Sequence, residues 1–293
     1  MTTLTWGFFM FGDAISLVSG FGIAVCVGGV DLVQPQRSRK AGGRAPRPDT
    51  RRRTAAHPRT PAHRLTRRAP MKPVVIGEDV ELQRAHLAAA YRGLYRRGWM
   101  PGTSGNISVR SGDAVVITAG GLSKGTMSHH DVVVVEPEQG LPLLGESEWP
   151  PAETAIHLAV YRQLPSCGAV VHAHAPHSMA LANLAGAAGP MGQVTFTDWE
   201  LAKGLGVADP RLVTVPVFAN RPEAPRIAED VSAYLDESGA DAPPALFIER
   251  HGVTTWGRDL EEARKRLECI EELSRLTLLV GTYGAGATKE AVR

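Results

Sequence analysis

Two histidines with one residue between them, His172 and His174, end an apolar run, Gly168-Ala169-Val170-Val171, and Pro176 closes the stretch. On a β-strand, residues two apart point to the same side, so both imidazoles would face one point. A strand end of that kind supplies half of a zinc site, which takes three or four N, O or S ligands. Two histidines satisfied by hydrogen bonds are the plain alternative, and partners elsewhere decide between the two. The strongest third candidate is His251, where the run Ala245-Leu246-Phe247-Ile248 ends and Gly252 permits a close turn. His157 lies one helical turn after Glu153 on the same face and suits either a ligand or a packed support. His177 follows Pro176 and suits support of a ligand. His129 and His130 fall in a polar turn and read as solvated, and His86 sits on a helix.

Two loops of small residues add a second kind of chemistry. Backbone N–H groups in turns of Gly, Ser and Thr make anion-binding nests. Gly102-Thr103-Ser104-Gly105-Asn106 and Gly120-Gly121 suit a phosphate, with Ser123 and Lys124 able to add a hydroxyl and a charge. Either loop alone reads better as an ordinary tight turn.

The elements that would carry these groups follow from hydrophobic spacing. Residues 78–97 read as a helix with Val80, Leu82, Leu87, Ala90, Tyr91, Leu94 and Tyr95 as its apolar stripe and Gly98 as its stop. Strands are expected at 107–110 and 114–118, turned at Ser111-Gly112-Asp113, and at 132–135. A helix over 151–163 precedes the central strand, 168–174, and a short helix over 177–184 follows it. Next come a strand at 193–197, a helix N-capped by Asp198 and running to Leu205, a strand at 213–218, a helix at 222–235, and strands at 245–249 and 254–256. A long last helix opens at Asp259 with Leu260, Ala263, Leu267, Ile270, Leu273, Leu276 and Val280 on one stripe, which reads as core or subunit contact. Hairpin-like strand pairs flanked by helices imply an α/β fold, a three-layer α/β/α sandwich with a mixed, largely antiparallel sheet. No GxGxxG follows a first strand, which argues against a doubly wound dinucleotide fold.

Charge is segregated along the chain. Residues 1–70 carry 12 Lys/Arg and 3 Asp/Glu, leaving 20 basic and 27 acidic residues in 71–293. An acidic folded part argues against nucleic acid as partner. Ala14–Val30 is a run of 17 uncharged residues, short of the roughly 20 that cross a bilayer, and no basic residue precedes it as in a secretory signal. Residues 35–70 are rich in Arg and Pro without apolar periodicity. Residues 1–70 are therefore expected to be a disordered or non-native extension, with 71–293 as the folded domain, no membrane contact, and a cytoplasmic location. Cys26, Cys167 and Cys269 show no paired spacing, which fits a reducing compartment.

Five stretches then stand in a telling order: Gly-Thr-Ser-Gly-Asn (102–106), Ile-Thr-Ala-Gly-Gly (117–121), Pro-Ala-Glu-Thr-Ala-Ile-His (151–157), His-Ala-His (172–174) and His-Gly (251–252). Together they resemble the class II aldolase/adducin family over essentially all of 71–280. Three further stretches, Gly98–Thr103, Arg250–Leu260 and Asp198–Gly204, are similar to the branch that dehydrates 5-methylthioribulose 1-phosphate in methionine salvage. The resemblance implies one zinc ion per subunit, held by His172, His174 and His251. It implies phosphate held around Ser104, Gly105, Asn106, Gly120 and Gly121, with Lys124 beside them. It implies Glu200 as the acid at the leaving oxygen and Glu153 as ligand, base or both. It also implies a homotetramer with its sites at subunit interfaces. Where aldolases of the family often carry Ser-Ser before the helix glutamate, this chain has Pro151-Ala152, so that part of the phosphate site must rely on backbone groups. A sugar-phosphate aldolase or 4-epimerase on the same metal site, and a non-catalytic adducin-like interaction module, are the competing expectations.

Overall fold

Alternating apolar runs build one eight-stranded sheet from β1 (Asn106–Ser111), β2 (Ala114–Thr118), β3 (Val132–Val135), β4 (Ala169–Ala173), β5 (Met191–Thr197), β6 (Leu212–Phe218), β7 (Ala245–Ile248) and β8 (Gly252–Gly257). The computed structural model describes residues 73–287 apart from 144, 187, 188 and 190, so the expectations for 1–70 lie outside the described residues. Strand order is β3-β2-β1-β4-β8-β7-β6-β5. Every neighbouring pair is antiparallel except β6 with β7, which is parallel, so the sheet is mixed as expected.

Among the described residues, five α-helices cover the two faces: α1 (Val80–Arg96), α2 (Thr154–Gln163), α3 (Pro176–Ala185), α4 (Ala224–Ser238) and α5 (Leu260–Ala287). The period of two in the strands sorts side chains between two cores. In β3, Val132 and Val134 join the core with α1, α3 and α5, while Val133 and Val135 join the core with α2 and α4. In β4, Ala169, Val171 and Ala173 go to the first core and Val170 to the second. Burial on both faces explains why these strands read as continuous apolar runs.

Two expectations need correction. Residues 200–205 form a 3-10 turn and not a helix capped by Asp198, because Asp198 adopts φ 57° and its N–H bonds to Arg211 O, which turns the chain before any cap can form. On α1, Leu82 and Tyr95 lie off the buried face: they are exposed, whereas Leu87, Ala90, Tyr91 and Leu94 are buried. No helix among the described residues is long and apolar enough to cross a membrane.

Candidate functional site

His172 sits in register between Asn106 of β1 and Thr254 of β8, in the middle of the sheet. Its position in β4 puts it on the face of Val170, toward α2. Thr254 Oγ1 lies 3.0 Å from His172 Nδ1 and fixes the ring, while Nε2 is buried and has no hydrogen-bond partner among the described residues. His174 lies just past the end of β4, and its N–H bonds to Trp99 O at 2.8 Å, so the loop after α1 ties down the ligand strand. His251 enters from the turn between β7 and β8, where Arg250 takes φ 53° and His251 N–H bonds to Ile248 O at 3.1 Å.

The three rings meet edge to face, with centroids 5.2 Å (172–174), 5.0 Å (172–251) and 5.1 Å (174–251) apart. One ligand atom from each lies within 4.8 Å of the others. Burial, and then the neighbouring His251, push His172 well below the usual histidine range and His174 down to about 4. Both are therefore neutral at pH 7, the form that ligates metal. His251 Nδ1 is, like His172 Nε2, buried without a partner among the described residues. Such orphaned atoms in a native interior call for an occupant, and three converging imidazoles fit a divalent ion such as zinc.

Glu153 opens α2 beside this cluster. Its Oε1 lies 3.7 Å from His251 Nε2, and its Oε2 accepts from Asn106 Nδ2 at 3.4 Å. The facing His251 holds the Glu153 carboxyl below the usual range, against the opposing effect of burial.

The two small-residue loops border one cleft of about 510 Å³ together with Glu153 and His174. Ser104, Gly105, Asn106, Gly120 and Gly121 all line it. Gly105 has φ 76°, and a Cβ there would overlap Met100 Sδ and lie 3.0 Å from His172 O, so glycine lets this loop lie directly on β4. Tyr91 on α1 secures the loop by donating from its hydroxyl to Ser104 O at 2.6 Å. Ser104 Oγ donates to Pro101 O at 2.7 Å, within its own turn. The side chain of Lys124 lies outside the described residues. Glu200 is not brought to this cleft: it stands exposed and pairs with Lys203 Nζ at 2.8 Å. A larger cleft, about 1060 Å³ around Trp256, Arg258 and Arg266, contains none of the three histidines.

Some partners went unseen in the sequence. Thr254 is one. Glu271 on α5 is another: buried, it accepts from the N–H groups of His177 and Ser178 and from Ser178 Oγ, which caps the helix that follows the ligand strand. His157 is no part of the three-imidazole cluster; it is fully buried, 2.7 Å from Ser108 Oγ, and burial pushes it down to about 3.

The fold and the imidazole cluster meet in one assignment. The chain belongs to the class II aldolase/adducin family, whose model, described as Class II Aldolase and Adducin N-terminal domain, matches residues 85–278. Among curated proteins it is 46% identical over 233 residues to the "Probable bifunctional methylthioribose-1-phosphate isomerase/methylthioribulose-1-phosphate dehydratase" of Nocardia farcinica (strain IFM 10152), a match covering 80% of this chain and 42% of that one. This chain thus spans less than half of that relative. It is 37% identical over 198 residues to the methylthioribulose-1-phosphate dehydratase of Methylococcus capsulatus, covering 67% of this chain and 92% of the relative. Among solved structures, L-fuculose-1-phosphate aldolase from Thermus thermophilus is similar at 28% identity and a TM-score of 0.54, over 70% of this chain and 99% of that one.

Proposed function

We propose that this chain is a hydro-lyase that dehydrates 5-methylthioribulose 1-phosphate to 2,3-diketo-5-methylthiopentyl 1-phosphate in methionine salvage. The observation that carries the reading is the convergence of His172, His174 and His251 beside Glu153, on a cleft bordered by two glycine loops. The names borne by the curated relatives support the dehydratase over other members of the family. A zinc ion on the three imidazoles, one per subunit, would supply Lewis-acid polarisation of the ketose oxygens.

The chain's own residues do the rest. Backbone N–H groups of Gly105 and Gly121 hold the phosphate, since Pro151-Ala152 offers no hydroxyl and the Gly120 N–H bonds to Trp149 O at 3.0 Å. Glu153, kept ionised by the facing His251, takes the proton from carbon 3. Glu200, exposed and outside this chain's own cleft, donates the proton to the oxygen leaving carbon 4, working in the cleft of a neighbouring copy in a homotetramer. The location is cytoplasmic, and residues 1–70 lie outside the catalytic domain.

Incubating the full chain with 5-methylthioribulose 1-phosphate, with and without chelator, tests the reading. Diketone formation that stops with chelator is the expected result, and aldehyde release would turn it toward an aldolase. The similarity to L-fuculose-1-phosphate aldolase favours that second reading.

A further inference from the structure

Strand β1 and helix α2 run side by side behind Glu153. Asn106 Nδ2 meets Glu153 Oε2 at 3.4 Å, and two residues on, Ser108 Oγ meets His157 Nδ1 at 2.7 Å. Two strand residues advance about 6.8 Å and four helical residues about 6 Å, so the contacts stay in step. Ser108 Oγ also lies 2.8 Å from Tyr161 OH, one turn further along α2. Ser108 and His157 are fully buried and Tyr161 is 3% exposed.

Each hydroxyl brings one proton that must find an acceptor. With Tyr161 donating to Ser108 and Ser108 donating to His157 Nδ1, both protons are placed. The reverse order leaves the tyrosine proton with no acceptor among the described residues. His157 Nδ1 is then the acceptor, and the neutral ring carries its own proton on Nε2. That Nε2 is buried without a partner, and so is Asn106 Oδ1. One is a donor and the other an acceptor, and burying either alone is unfavourable.

We propose that His157 is a positioning residue whose Nε2–H, through one enclosed water, holds Asn106 Oδ1, so that Asn106 in turn holds Glu153. Tyr161, Ser108, His157 and Asn106 then form a line in which every member donates toward the carboxylate. Such a line stabilises the ionised carboxylate and orients it. No proton is transferred along it. The inference rests on the reading of Glu153 as the working carboxylate, and its test observes His157 and Asn106 directly, so the two can fail separately.

The test follows the His157 ring and the Asn106 side-chain amide by 15N NMR in full-length, metal-free protein, each signal assigned by its loss in the variant at that position. The ring is expected as the Nε2–H tautomer, and His157→Phe is expected to shift the Asn106 amide signal. His157→Gln, whose amide can donate where Nε2 did, brings that signal back toward wild type. In zinc-loaded protein, His157→Phe lowers kcat roughly 10–100-fold, with KM changed little. An Nδ1–H tautomer overturns the proposal, as does an unmoved Asn106 signal in folded His157→Phe or equal loss in the Phe and Gln variants. If His157→Phe does not fold, the tautomer of wild-type His157 decides the matter.

Discussion

Gly252 and His172 stand so close that a Cβ on Gly252 would lie 2.9 Å from His172 Cε1, and 2.6 Å from Ala173 O. Gly252 therefore sets how tightly β8 lies against the ligand strand, one residue after His251. Gly252→Ala is expected to lose about 1–3 kcal/mol of stability through overpacking. It should weaken zinc binding as well, because His251 moves with the turn. Urea unfolding and chelator competition on the same variant check both effects.

Removing the metal separates the site from the scaffold. Chelation is expected to abolish turnover and to lower the melting temperature, since a ligand at 100 times its Kd stabilises by about 2.7 kcal/mol. His251→Ala should be inactive and should no longer respond to added zinc. A variant that kept zinc-dependent turnover would remove His251 from the ligand set.

Glu200→Gln tests the acid. Its side chain is exposed and pairs only with Lys203 in the described structure, so melting should be unchanged. Turnover is expected to fall roughly 100-fold, within the range for a lost general acid. Full dehydratase activity in this variant would exclude Glu200 from the chemistry.

His157 gives the protein a pH signature of its own. Its folded pKa, about 3, lies below the unfolded value of roughly 6.5, so unfolding takes up a proton at any pH between the two. Stability is then lost as pH falls through 6.5, by up to about 1.4 kcal/mol per pH unit from this group. Metal-free protein should melt progressively lower from pH 7 to pH 5, and His157→Phe should show a shallower slope.

Glu271 is the buried acceptor for the start of α3. Glu271→Ala leaves two backbone N–H groups and the Ser178 hydroxyl without it, and is expected to cost about 2–4 kcal/mol. Because α3 follows His174 directly, zinc affinity should fall with stability, measured on the same preparation.

What could be read before folding was what repeats locally. His172 and His174 were legible because strand alternation sends both to one side, and His251 because an apolar run stops at a glycine. The loops at 102–106 and 120–121 were legible as turns from composition alone, and their meeting at one cleft was not. Thr254 and Glu271 were not, because they come from 82 residues beyond His172 and 93 beyond Ser178, and nothing in local spacing marks them. The three layers followed from alternating helices and strands, but the placing of β4 between β1 and β8 is a long-range choice. Asp198 misled because a good capping residue can equally take a left-handed turn, and here it does.

The pairing of β4 with β8 has a consequence for biogenesis. It joins His172 to Thr254 across 82 residues of chain, in a sheet held by two apolar cores of its own. Contacts of such long separation close late, after local hairpins such as β1–β2 have formed. On the proposed reading, an ion held by the three imidazoles would meet a finished scaffold and take no part in nucleating it, the opposite of a zinc finger. Stripping the ion would then leave intact apoprotein that refills on its return with no refolding step between.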